Sequence, residues 1–208
     1  MPYLKEEVKE KILASALLLF KEQGYLGASM RLIAKNAGVS LGNVYRYFKN
    51  KDDLFNAIVG PVYKSYIDFI NEIDELVQNN EHSCQKQSKD NTSMIEINEI
   101  KDKLLEICEE HYTELLILME KSNGTVYQDA KQVLISLLDK IISKKFMPYI
   151  EIKGSDVMSK DVIYIYSASF IESICIILRK YKAGAQIRIL ADRFIGLFFI
   201  DLEMRLGK

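Results

Sequence analysis

The 208 residues are 49% hydrophobic, enough for a sizeable core, and a formal net charge of −1 excludes a chain that is basic throughout. The charge is uneven: residues 1–51 hold nine Lys/Arg against four Glu, a net +5, and the rest holds 19 Lys/Arg against 25 Asp/Glu, a net −6. A basic head on an acidic body directs an anionic partner to the head.

The elements read as helical almost throughout, with three prolines in the chain and no run of strand-like alternation. Val8, Ile12, Ala16, Leu19 and Phe20 share one helical face, and Gly24 ends that helix in a left-handed cap. Ser29 caps "MRLIAKNAG", Gly38 closes it, and Ser40 caps "LGNVYRYF". Asn50 caps a long amphipathic helix from Lys51 to about Val77, with Asp52 and Asp53 in its first turn and a bend expected at Pro61. Asn79–Ser93 is nearly devoid of apolar residues and reads as a mobile loop. Helical spacing returns from about Met94 to Lys121, with a break near His111; "SNGT" stops it, and Thr125 is expected to cap a helix to about Met147. "PYIEIKGS" reads as a second loop, and two helices follow, Lys160–Tyr181 and Gln186–Leu206.

Cys84, Cys108 and Cys175 are odd in number and widely spaced, which argues against a disulfide framework or zinc site and for a reducing, cytoplasmic setting. No metal or cofactor is expected. The apolar N-terminal patch is too interleaved with charge for a signal peptide. Val162–Leu178 falls short of the roughly 20 residues that span a bilayer and carries Glu172. A soluble chain with no membrane partner is therefore expected.

Met30–Phe48 has the pattern of two short helices joined by a tight turn. Ala34 is small where the helices approach, Gly38 suits a positive φ, and Ile33, Ala37, Val39, Val44 and Phe48 lock the pair. With Val44 and Phe48 inward, the 100° step puts Gly42 and Arg46 outward, with Asn43, Tyr45 and Tyr47 beside them. A face with no side chain at its centre and hydrogen-bonding groups around it suits a helix entering a DNA major groove. Ser29 and Ser40 place hydroxyls and N–H groups at helix starts, where phosphates bind, and Lys51 opens the next helix.

Over residues 8–56 the chain resembles the N-terminal domain of TetR-type bacterial transcriptional regulators. The resemblance rests on the helix ending at Phe20 before "GY", on "IAKNAGVS" and on "YRYFKNKDDLF". It implies an all-α fold: an N-terminal three-helix helix-turn-helix DNA-binding domain at residues 6–66, with the motif at about 29–48, and a C-terminal helical ligand-binding and dimerisation domain at 67–208. It also implies Leu41, Gly42, Asn43 and Arg46 at base edges, Tyr45, Tyr47 and Lys51 on phosphates, and Arg31 within reach of either. Leu41 and Asn43 replace the lysine and threonine often seen there, which bears on which operator is read.

The resemblance implies a homodimer, a palindromic double-stranded DNA operator and release by a small-molecule inducer. The last two helices are apolar nearly all round, as expected either of the centre of a large monomer core or of helices with one face on a second subunit, and the resemblance favours the second. For an inducer pocket the expected residues are Tyr63, Tyr66, Phe69, Leu104, Cys108, His111, Tyr112, Met119, Tyr127, Leu134 and Tyr164, around an apolar or aromatic ligand. Each is also an ordinary core residue type. Two histidines, three scattered cysteines and no Gly-rich phosphate loop offer no catalytic constellation, so an enzyme is not expected. The competing reading is a helical protein-interaction module without sequence-specific DNA binding.

Overall fold

The computed structural model describes residues 3–79, 101–152 and 160–206, most of them in helices and with no strand among them. The helices are α1 (Tyr3–Gly27), α2 (Met30–Asn36), α3 (Leu41–Tyr47), α4 (Lys51–Asn79), α5 (101–110), α6 (Tyr112–Glu120), α7 (Ala130–Ile152), α8 (Lys160–Lys180) and α9 (Gly184–Leu206). They divide into two compact units: Met1–Lys64 with Thr113–Ala130, and Ser65–Tyr112 with Lys131–Lys208.

The first unit is built on α1, whose periodic residues Ile12, Ala16, Leu19 and Phe20 are buried, together with Ile33, Ala34, Val44, Phe48, Leu54 and Phe55 from the next three helices. The buried hydroxyl of Ser15 donates to the carbonyl of Ile33 at 3.0 Å, tying α1 to α2. Gly24, at φ 71°, breaks the regular geometry of α1 near its end, and the N–H of the following Tyr25 donates to the carbonyl of Lys121 at 2.9 Å. The segment after α6 is thereby bonded to the end of α1. Phe20, Tyr25 and Phe55 form an edge-to-face cluster, which Tyr127 and Tyr63 extend. Tyr127 also donates its hydroxyl to Asn56.

In the second unit α8 buries Ile163, Phe170, Ile171, Ile174, Cys175 and Leu178. It packs on α9 through Phe170 against Phe194 and Tyr166 against Phe198, whose ring centroids lie 5.3 and 4.1 Å apart. Gly184 at the start of α9 approaches α5 so closely that a Cβ there would lie 2.2 Å from the carbonyl oxygen of Glu109. Among the described residues α8 is the one helix long and apolar enough to cross a membrane.

Two expectations are corrected. Thr125 does not cap α7, which starts at Ala130. Its hydroxyl accepts the N–H of Tyr127 at 3.0 Å and donates to the carbonyl of Ser122 at 2.7 Å, a local turn that satisfies the groups a cap would have served. Nor does α7 end at Met147: it continues past Pro148 to Ile152, although proline forgoes one helical N–H. The break at His111 and the cap at Asn50 stand as expected, the latter accepting the N–H of Asp53 at 2.8 Å. The expected loop beyond Asn79, the helix expected from Met94 as far as residue 100, and the end of "PYIEIKGS" lie outside the described residues.

Candidate nucleic-acid interface

The site is built by two seven-residue helices too short to stand alone. Each is started by a serine. The hydroxyl of Ser29 accepts the N–H of Leu32 at 3.2 Å and that of Ser40 accepts the N–H of Asn43 at 3.2 Å, while both serines take extended backbone angles. Each hydroxyl keeps its own proton to donate outward. Gly38 makes the turn between the helices at φ 68°, a conformation that disfavours any side chain. The N–H of Val39 then returns to the carbonyl of Ala34 at 3.0 Å.

This frame fixes the rotation of α3. Val44 is fully buried and Phe48 nearly so, which turns Gly42, Tyr45 and Arg46 to solvent and leaves Leu41, Asn43 and Tyr47 half-buried at the edges. A Cβ on Gly42 would meet only the Ser40 hydroxyl, at 4.0 Å, and its backbone is not left-handed. The chain's own packing therefore does not require glycine there, although glycine in a helix costs about 1 kcal/mol relative to alanine. Arg31 and Lys35 on α2 and Lys49 in the turn before α4 are also exposed. None of the ten residues expected to meet DNA is buried, and all ten lie in the first unit.

Lys51 differs from the others. Its ammonium donates to the carbonyls of Tyr25 at 2.8 Å and Ala28 at 3.1 Å and lies 4.1 Å from the centroid of the Tyr25 ring. Two of its three protons are thus committed within the unit. The Tyr25 hydroxyl in turn donates to Asp52 at 2.6 Å, and burial together with that carboxylate pushes its pKa from 10.0 up to about 12. No local sequence signal pairs residues 25 and 51; the link is made by the fold.

The residues expected to line a ligand pocket are divided between the two units. Tyr66 and Phe69 on α4 and Cys108 on α5 are buried, and Leu104, His111 and Tyr112 are half-buried, all in the second unit. Met119 and Tyr127 belong to the first unit, and Tyr164 on α8 is exposed. Burial pushes the Cys108 thiol up to about 12, with Cys175 adding to the effect. Among the described residues no group of three or more His, Cys, Asp or Glu is placed to hold a metal ion.

Residues 12–58 match the family described as "Bacterial regulatory proteins, tetR family". The HTH-type transcriptional regulator AcrR of Shigella flexneri is 47% identical over 53 residues, covering 26% of this chain and 25% of that protein. Over a longer stretch, the biofilm operon negative transcriptional regulator IcaR of Staphylococcus epidermidis is 22% identical over 178 residues, 82% of this chain and 89% of that protein. The chain spans only 25–30% of the length of the first relatives it matches at 40% identity or more. In fold, a TetR-family regulator from Bordetella parapertussis superposes with a TM-score of 0.51 at 16% identity, over 92% of this chain and 93% of that one.

Proposed function

We propose that the whole chain, whose residues 12–58 match the tetR family of bacterial regulatory proteins, is a dimeric transcriptional repressor that a small molecule releases from its operator. The observation that carries the reading is the outward face of α3. There an unneeded glycine is flanked by exposed Tyr45 and Arg46, with Val44 and Phe48 fixing the rotation from behind. On this reading Leu41, Gly42, Asn43 and Arg46 lie at base edges. Ser29, Ser40, Tyr45, Tyr47 and the remaining proton of Lys51 meet phosphates, and Arg31 meets either.

The dimer is supported by α8. Val162, Ile165, Ser169, Ser173 and Ile176 fall within an arc of about 80°, and Ile165 and Ile176 are 61% and 46% exposed. The hydroxyls of Ser169 and Ser173 donate to the carbonyls of Ile165 and Ser169 at 2.7 and 2.8 Å, so the stripe presents no free donor. Such a face is completed by a copy of itself about a two-fold axis. Repression is supported by the negative regulator that matches most of the chain. A cytoplasmic location follows from a DNA target. Ligand release works by linkage: a molecule that binds the operator-incompetent arrangement better must itself be weakened by DNA.

The test is selection of duplexes from a random pool, with a Tyr45→Ala, Arg46→Ala variant in parallel. A palindrome with half-sites about one helical turn (~10 bp) apart, absent for the variant, is the expected result. A flat pool at low salt would leave a helical interaction module in its place.

A further inference from the structure

In the second unit Arg179 pairs with Glu172 at 3.2 Å and Arg188 with Glu109 at 3.3 Å. Arg46 on α3 is exposed and makes no ion pair or side-chain hydrogen bond among the described residues. No acid lies on α3 to receive it. The two nearest in sequence, Asp52 and Asp53, accept the Tyr25 hydroxyl at 2.6 Å and the Lys49 N–H at 3.0 Å. A place in the last turn of α3 suits the helix macrodipole, but a lysine would serve that purpose equally.

The rotation of α3 gives this arginine a definite place. Gly42 and Arg46 lie one turn apart, each about 160° round the helix from the buried Val44, so the two form the centre of the outward face. Helical side chains lean toward the N-terminus, which carries the Arg46 stem over Gly42. The ground there is clear, since even a Cβ on Gly42 would meet only the Ser40 hydroxyl, at 4.0 Å. Tyr45 stands about 100° from Val44, toward the side of the face. When such a face enters a groove, its centre reaches the base edges and its flanks meet the walls.

A guanidinium offers parallel N–H donors and no acceptor. In the major groove guanine presents two adjacent acceptors, N7 and O6. Adenine sets an acceptor beside a donor, thymine an acceptor beside a methyl, and cytosine a donor. We infer that Arg46 reads a guanine in each operator half-site, its guanidinium forked on N7 and O6. The inference rests on α3's being the element that enters the groove, and names the base selected there.

The test is selection of duplexes from a random pool with the full chain as wild type, Arg46→Ala, Arg46→Gln and Arg31→Ala, followed by titration of the selected duplex. The wild type is expected to retain guanine at one position of each half-site. Arg46→Ala is expected to accept any base there and keep the other positions, which also shows that the variant is folded. Arg46→Gln is expected to exchange guanine for adenine, whose N7 and N6 suit an amide. Replacing the selected guanine with 7-deazaguanine, which lacks the N7 acceptor, is expected to weaken wild-type binding about fivefold or more and to leave Arg46→Ala binding unchanged. Guanine kept in both Arg46 variants, with the slope of log affinity against log salt shallower by about one in Arg46→Ala, would assign the residue to a phosphate. Guanine lost in Arg31→Ala and kept in Arg46→Ala would assign the reading to α2. Wild-type affinity indifferent to 7-deazaguanine would remove the fork. Each of these three results overturns the inference while operator binding stands, whereas a flat pool for the wild type overturns both.

Discussion

The ammonium of Lys51 is held twice by one residue, at 2.8 Å by the carbonyl of Tyr25 and at 4.1 Å by the centre of its ring. The start of α4 is thereby fastened to the end of α1. A lysine at the first position of a helix gains nothing from the macrodipole, which favours negative charge there. The orphan carbonyls after Gly24 are what it satisfies.

Replacing Lys51 with methionine keeps much of the stem and removes the charged donor from both carbonyls. Unfolding by denaturant is expected to show a loss of about 2 kcal/mol, the scale of hydrogen bonds to charged groups. A midpoint equal to the wild type's would mean that water replaces the ammonium without cost. The same variant is a poor probe of DNA contact, because weaker operator binding would mix the two effects.

The Tyr25 hydroxyl titrates late in the folded chain. Its pKa rises from 10.0 to about 12 because burial and the bond to Asp52 both oppose the phenolate. The folded state therefore holds the proton more tightly than the unfolded chain. That stabilisation is complete below pH 10 and disappears as the pH climbs to about 12. Tyr25→Phe removes this contribution, so the difference in stability between wild type and variant is expected to narrow across that window. A difference that stays constant through it would show that the hydroxyl is not what Asp52 binds.

Gly42→Ala separates fold from function. The methyl meets nothing closer than the Ser40 hydroxyl at 4.0 Å, so the variant is expected to gain about 1 kcal/mol of stability. Operator affinity is expected to fall by tenfold or more, since the methyl must find room in the groove. Titration of a selected duplex beside thermal unfolding checks both signs. Unchanged affinity would remove Gly42 from the contact surface.

At Gly184 the opposite holds. A Cβ 2.2 Å from the Glu109 carbonyl oxygen meets backbone, which cannot swing aside as a side chain does. Gly184→Ala is expected to lower stability by about 2 kcal/mol through forced separation of α5 and α9, read as a lowered Tm. The ion pairs beside it, Arg188 with Glu109 and Lys101 with Asp192, are partly exposed and contribute little to offset that loss. A Tm at the wild-type value would mean that the junction relaxes without cost.

What could be seen in the sequence was whatever is written in short-range spacing. Ser29, Gly38, Ser40 and Asn50 announce the starts and turns of three helices because capping and positive φ act within a few residues. The outward placement of Gly42 and Arg46 follows from two inward neighbours and a fixed helical step. The engagement of Lys51 with Tyr25 was not visible, since 26 positions separate the partners. Thr125 misled for the reverse reason: a threonine before a helical run has the same local signature whether it caps that run or closes a turn. Pro148 marks a stop by propensity, and α7 passes through it all the same. The burial of one oxygen of Asp139 is made by three-dimensional packing and has no local sequence signal.

The kinship of Thr113–Ala130 with the first 64 residues bears on how this protein can be cut and recombined. Severed after Lys64, the head would keep α3 but lose the Lys121 carbonyl that receives the Tyr25 N–H and the Tyr127 hydroxyl that reaches Asn56. Leu26 would lose Gly124, whose missing side chain makes room for it. A graft of the first unit onto a foreign partner domain must therefore carry two separate stretches of chain. Evolution by exchange of contiguous segments would meet the same obstacle at the same joint.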